Sequence, residues 1–203
     1  PIKSLWRPSR QRFGTLTWQG TAAKLSFDLN DDGPFLARFV EQVPPLGQQR
    51  NPLPRNVKDL SLFAAWNFSA QGKRTLIFIT QANWVEGFGT TAIDLFNRGY
   101  LPSLIDNPAV VERAIQVGQE WLGNGHPAVE SLRIGLAIHH GGLPNPFLRE
   151  LEGLLSEGVL KVTVASPTLS QGLNINAAVL LAPYLTRSGQ PIKGEEFANV
   201  AGR

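Results

Sequence analysis

The chain has 203 residues and a formal net charge of +3, with hydrophobic residues at 42% and charged residues at 17%. That length and apolar content suffice for one large or two small cores and argue against a wholly disordered chain. With no cysteine, a disulfide framework and thiolate chemistry are excluded, which fits an intracellular, cytoplasmic protein, and the mild positive charge gives slight support for a polyanionic partner. No apolar run approaches the length that spans a bilayer, so neither a membrane partner nor a signal peptide is expected. The sequence starts at Pro1, contains no Met, and stops at NVAGR within a helical pattern, from which a piece of a longer protein is expected.

Residues 1–12 are basic, with Lys3, Arg7, Arg10 and Arg12 among Trp6 and Pro8; a solvated linker and a phosphate-contacting arm both fit. Residues 13–18 and 24–29 read as two strands around Gln19-Gly20, with Leu25, Phe27 and Leu29 on one face. The stretch from Asp28 to Gly33 imitates half of a calcium-binding loop. Its twelfth position, where a bidentate Glu is needed, is Phe39, so a polar turn is expected there and no metal. A short helix is expected over residues 35–42. Four prolines between residues 43 and 55 mark a linker, which divides the chain into 1–55 and 56–203.

Residues 56–68 predict a helix packing Val57, Leu60, Phe63, Ala64 and Trp66. TLIFIT, residues 75–80, suits a strand buried on both faces. A helix to about residue 98 follows, carrying Trp84, Val85, Phe88, Ala92, Leu95 and Phe96, with Gly87 and Gly89 pointing to close packing or irregularity. Asn107-Pro108 starts another helix by the cap-plus-proline device, with Val111, Ile115, Gly118, Trp121 and Leu122 on one side.

Residues 133–176 then read as strand, tight loop, helix, strand and polar loop. Ile134, Leu136 and Ile138 alternate with smaller residues before HHGGL breaks the run. Asn145 suits a helix cap and Pro146 the first helical position, Phe147, Leu148, Leu151, Leu154 and Leu155 recur at helical spacing, and Gly158 ends the helix. An apolar strand over 160–165 leads into Ser-Pro-Thr. This is a βαβ unit with parallel strands. An apolar strand over 178–185, a turn over 187–190 and a helix from residue 194 complete the pattern. The alternation from Thr75 onward predicts an α/β fold with a mostly parallel, helix-covered sheet. Polar residues fall just past the strand ends, where open α/β sheets bind ligands.

Four segments in order carry a resemblance: TLIFITQ, IGLAIHHGGL, VASPTLSQGLNINA and EFANVAGR. The chain from about residue 73 to 203 resembles the second RecA-like lobe of a superfamily two DExH-box helicase of the Ski-type, large helicase-related group. There these segments are motif IV, the HHAGL segment, motif V and the start of motif VI. The resemblance implies a RecA-like (P-loop NTPase-type) sheet with helices on both faces. It also implies partners: single-stranded or partly duplex nucleic acid, DNA or RNA, and the first RecA-like lobe of the same polypeptide.

By the resemblance, Thr80, His140, Gly141, Gly142, Ser166 and Thr168 would meet the nucleic acid. Glycines permit close backbone approach, and hydroxyls suit phosphate contacts that position a strand without reading its sequence. Gly172 and Asn174 would lie beside ATP between the lobes, and Arg203 would face the ATP phosphates in a catalytic role. Ser166 replaces the family's Thr, Asn176 its usual Pro, and Asn199 its frequent Gln. The segment over 184–192 suits a hairpin between motifs V and VI, where hairpins in related helicases help to separate strands.

No GxxxxGK[ST] phosphate loop and no DExH motif occur in the chain. Both belong to the first lobe, which would hold Mg2+ with the ATP. The fragment alone is therefore expected to hydrolyse no ATP. A different class also fits, a RecA-like module retained for protein interaction or scaffolding. His139 and His140, adjacent on a strand, point to opposite faces and cannot readily share one metal, which leaves backbone positioning and direct nucleic-acid contact open. Neither Ser166 nor Ser170 lies in a G-x-S-x-G elbow, so no serine hydrolase is expected.

Overall fold

The computed structural model describes residues 12–27, 33–47, 50–167, 177–187 and 189–195. The chain divides into two compact units, Pro1–Gln42 and Val43–Arg203. The basic stretch over residues 1–11 and the acidic turn over 28–32 lie outside the described residues.

The first unit is an antiparallel sheet of β1 (Gly14–Gln19), β2 (Ala22–Phe27) and β3 (Phe35–Glu41), in that order. Gly20, at a φ of 61°, makes the tight turn between β1 and β2 that the Gln19-Gly20 pair predicts. The expected helix over 35–42 is instead β3. Ala23 faces Val40 and Leu25 faces Leu36 across the β2–β3 ladder, with an irregularity between those two pairs. Phe39 and Val40 are buried while Phe35 and Leu36 stay exposed. The second edge of β2 offers its backbone groups to this segment, and pairing overrides the local pattern.

The second unit is built on four parallel strands, β4 (Thr75–Phe78), β5 (Leu136–His139), β6 (Val162–Ala165) and β7 (Val179–Leu181), ordered β5-β6-β4-β7. Every residue of β4, β5 and β6 is buried, which is why their sequences are mostly apolar and do not alternate with exposed polar residues. β7 is half-buried and shorter than the apolar run over 178–185 suggested, because it lies at the sheet's edge. Ile134 sits in a 3-10 turn (Ser131–Ile134) and not in a strand. Gly135, at a φ of 83°, reverses the backbone there, and a Cβ on it would come within 2.8 Å of Leu104 Cβ.

Around the sheet lie α1 (Val57–Ala70), α2 (Ala82–Asn97), α3 (Glu112–Leu122), α4 (Pro127–Glu130) and α5 (Asn145–Ser156). Asn56 caps α1 by accepting from the Asp59 N–H, and Leu62, Phe63, Ala64, Ala65 and Trp66 are buried beneath it. Val57, expected in that core, is exposed, as is Trp121 of α3. Asn145 does not cap α5. It is the first helical residue, and Leu148 N–H donates to the Pro144 carbonyl one residue earlier. Gly89 of α2 gives the close packing expected of it, since a Cβ there would stand 3.1 Å from Ile138 Cγ1 on β5.

Two crossovers run in opposite directions, from β4 across β6 to β5 and from β5 back to β6. Right-handed connections then put α2 and α5 on opposite faces. Side chains on β5 agree. Ile138 meets α2, whereas its neighbour His139 meets Glu152 of α5. The result is an α/β, RecA-like arrangement with the core on both sides of one parallel sheet. Among the described residues, no helix is long and apolar enough to cross a membrane.

Candidate functional site

Because β5, β6 and β4 are neighbours, the segments leaving their carboxyl ends meet at one edge of the sheet. Backbone bonds continue past the strands and fix that edge. Ile79 N–H donates to the Ala165 carbonyl at 2.8 Å, and Ser166 N–H donates to the His139 carbonyl at 3.2 Å. Thr80, the His140–Gly142 turn and Ser166 are thereby brought side by side from distant stretches of the chain.

Thr80 is buried, and its hydroxyl donates to the Thr186 carbonyl at 2.7 Å. Its own carbonyl accepts from Arg187 Nε at 2.8 Å. Both partners belong to a small antiparallel hairpin of β8 (Thr186–Arg187) and β9 (Gln190–Pro191), closed by Gly189 at a φ of 80°. The hairpin expected over 184–192 is therefore present, and its base is tied to the β4–α2 junction. Trp84 of α2 adds an edge-to-face contact with Tyr184, ring centroids 5.5 Å apart. The Thr80 hydroxyl, expected at a phosphate, serves here as a donor inside the fold.

After β5 the two histidines diverge. The His139 ring turns to α5, its Nε2 3.2 Å from Glu152 Oε1, while its Nδ1 is buried without a hydrogen-bond partner. Burial pushes the His139 pKa below the usual imidazole value, against the opposing pull of the Glu152 hydrogen bond and charge; the charge of His140 adds a smaller downward push.

His140 turns to α2 and is also buried. Its Nε2 lies 3.0 Å from Glu86 Oε1, and its Nδ1 accepts the Gly142 N–H at 3.2 Å. Leu143 N–H donates to the His140 carbonyl at 3.2 Å and completes a tight turn. Gly141 and Gly142 at its tip are exposed. A Cβ on Gly142 would stand 3.1 Å from His140 Nδ1, so glycine is what lets ring and backbone lie so close.

Ser166 is buried at the end of β6. Thr168, Gly172, Asn174 and Arg203 lie outside the described residues. Among the described residues, no group of three His, Cys, Asp or Glu side chains is arranged to hold a metal ion.

Sequence reasoning missed Glu86 and His126. The His126 ring caps α4 by accepting the Ala128 N–H at Nδ1, 3.2 Å away, and its Nε2 lies 3.6 Å from the same Glu86 oxygen that meets His140. No local pattern joins residues 86, 126 and 140; only the sheet order brings them together. The edge offers buried hydroxyls, a buried imidazole with both nitrogens engaged, and an exposed glycine backbone. Such a surface lets a ligand approach the glycine backbone closely, with no side chain in the way.

No protein-family model matches the chain. It is similar to the Hachiman protein HamB of Bacillus cereus, 24% identical over 222 aligned residues that cover 98% of this chain and 19% of that protein. It is similar to the ATP-dependent DNA helicase Hel308 of Aeropyrum pernix, 36% identical over 73 residues, 34% of this chain and 10% of the helicase. The ATP-dependent RNA helicase mtr4 of Schizosaccharomyces pombe is 40% identical over 77 residues, 36% of this chain and 7% of the helicase. The chain thus spans at most about a fifth of the length of these relatives. Over these partial stretches its homologues are ATP-dependent helicases of DNA and RNA, a likeness at the level of the family and not of any one member.

Proposed function

We propose that this chain is the second RecA-like lobe of an ATP-dependent helicase or translocase of the DExH-box, Ski-type group. It grips the backbone of single-stranded or partly duplex DNA or RNA and completes an ATP site whose other half is a first RecA-like lobe. One observation carries the reading. The carboxyl ends of β4, β5 and β6 stand side by side and deliver Thr80, the His140–Gly142 turn and Ser166 to one edge. The family-level likeness to helicases supports it.

In this reading the exposed Gly141–Gly142 turn, which has no side chain to obstruct it, lets a phosphate backbone approach closely, and Ser166, at the buried end of β6, and Thr168 belong to the same track. Such contacts hold a strand in place without reading bases. Gly172 and Asn174 lie beside ATP at the lobe boundary. Arg203 stabilises charge on the transferred phosphoryl group, an effect worth roughly 10³ to 10⁵ in rate for an arginine finger. Mg2+ belongs with the acidic motif of the first lobe. The β8–β9 hairpin serves as the element that separates the strands of a duplex.

The test uses the full-length protein with its upstream lobe and fluorescent single strands of DNA and of RNA. For the full-length protein, strand affinity should fall as salt rises. Arg203→Ala should abolish ATP turnover and leave strand binding in place. Salt-insensitive or undetectable binding would instead favour a module kept for protein interaction.

A further inference from the structure

The geometry points to Glu86 and His140 as the residues that position the Gly141–Gly142 turn, an inference that rests on the nucleic-acid-gripping role proposed above and names what holds that grip in shape. We propose that His140 acts through the turn and does not itself touch the strand.

Both ring nitrogens of His140 are committed. Nδ1 accepts the Gly142 N–H, so this nitrogen carries no proton, and the proton of the neutral ring sits on Nε2, facing Glu86 Oε1. A carboxylate on α2 therefore fixes the tautomer, and the tautomer fixes the turn. The chain of contact runs Glu86 carboxylate, His140 ring, Gly142 N–H. The His140 side chain is only 10% exposed, which leaves the imidazole little surface to offer a ligand. Gly141 and Gly142 are the exposed part of the segment.

The anchor is itself held. Glu86 Oε1 faces a second imidazole, His126 Nε2 at 3.6 Å, and His126 Nδ1 accepts the Ala128 N–H at the start of α4. In both histidines Nδ1 takes a backbone N–H two residues ahead, which is the geometry of an Asx turn made with imidazole. One carboxylate thus joins the glycine turn, α2 and the start of α4. Orientation of a ligand-facing loop by a buried acceptor behind it is a common way of reducing the ordering cost of binding.

This arrangement separates two side chains that a direct-contact role would not separate. The Oδ1 of an asparagine can occupy nearly the place of His140 Nδ1 and accept the same N–H, so His140→Asn keeps the turn while removing the imidazole. His140→Ala removes both. The measurement is the concentration of a mixed-sequence single strand that half-saturates ATP turnover by the full-length protein, with kcat read in the same titration.

His140→Ala and Glu86→Ala should each raise that concentration about five- to tenfold, the effect of roughly one hydrogen bond, with a smaller change in kcat. His140→Asn and Glu86→Gln, which keep an acceptor at the critical place, should stay within about twofold of the parent. If His140→Asn is as weak as His140→Ala, the imidazole itself contacts the strand and the inference is overturned. If Glu86→Ala matches the parent, it is overturned too. Should Glu86→Ala fail to fold, the asparagine–alanine pair at residue 140 decides alone. Failure of the parent protein to bind single strands at all would strike the gripping role and not the positioning of the turn, whose state can then be read from protection of the Gly142 amide against hydrogen exchange in the parent and in His140→Ala.

Discussion

Thr80→Val replaces a β-branched residue by one of nearly the same shape and removes only the hydroxyl that donates to the Thr186 carbonyl at 2.7 Å. The strand end should keep its form, because Thr80 is buried and Val fills the same space. What suffers is the hairpin. Its strands are two residues each, and an isolated pair of that size is not stable on its own. It is held at its base by the Thr80 hydroxyl, by the Arg187 Nε bond to the Thr80 carbonyl, and by the Tyr184–Trp84 contact. Thr186 is exposed, so its carbonyl can turn to water, and the loss is the net worth of one hydrogen bond, about 1 kcal/mol. That corresponds to a roughly fivefold smaller docked population of the hairpin.

Hydrogen exchange reads this directly. The Ile192 N–H, which donates to the Leu185 carbonyl at 2.9 Å across the hairpin, should exchange about fivefold faster in Thr80→Val. Amides of β4 and β6 should be unchanged, and the global melting temperature should move little. The same variant separates two roles for Thr80. A hydroxyl that holds the hairpin alters Ile192 exchange; one that holds only a phosphate lowers strand affinity and leaves Ile192 alone. Unchanged exchange at Ile192 would refute the anchoring argument.

Gly118→Ala tests the core between α3, α4 and α5. A Cβ there would lie 2.7 Å from Val129 Cγ2 and 2.8 Å from Phe147 Cε2, both side chains fully buried. Overpacking of about 1–3 kcal/mol should outweigh the gain of up to about 1 kcal/mol from replacing glycine within a helix. A lower melting temperature is expected, and a rise would show that this core yields easily. His139 should make stability depend on pH. Its folded pKa is lowered, so the unfolded chain takes up the proton first, and the contribution present above about pH 6.5 is lost as pH falls below it. In urea titrations, His139→Gln should lose less stability than the parent between about pH 7.5 and 5.5; equal losses would assign the pH dependence elsewhere. The 203-residue chain by itself, lacking any GxxxxGK[ST] loop, should release no phosphate from ATP above background, and robust turnover would overturn the division of the ATP site between two lobes.

The parallel sheet was legible because its strands are buried on both faces and therefore mostly apolar and β-branched, as TLIF and VTVA are. The glycine turn was legible too, since HHGGL ends a strand and can do little else. β3 was not. Its residues, FLARFVE, read as a short helix until β2 supplies a ladder to pair with, and that partner's presence is a fact of tertiary structure. α5 starts one residue before the Asn145-Pro146 pair suggests, because the Leu148 N–H bonds to the Pro144 carbonyl and draws Asn145 into the helix. For the site, residue types showed where polar groups leave the sheet but not what they bond to. Thr80 meets a carbonyl 106 residues away, and His140 meets a carboxylate 54 residues away. Neither distance has a periodicity that a sequence could display.

Those two long-range bonds share an origin. The hairpin is tied to Thr80 and Trp84, and the glycine turn is tied to Glu86. Trp84 and Glu86 both lie in the first two turns of α2, immediately after Thr80. A rigid helix start that holds both loops cannot shift one without straining the other, since packed elements move as bodies and do not stretch. Gly89 seats the next turn of the same helix directly on Ile138 of β5, the strand that leads into the glycine turn. The opening of α2 is thus the common support of the two loops proposed to meet nucleic acid. If the gripping turn and the strand-separating hairpin act in one stroke, this segment is what makes their movements one, and Thr80→Val should then weaken unwinding more than it weakens binding.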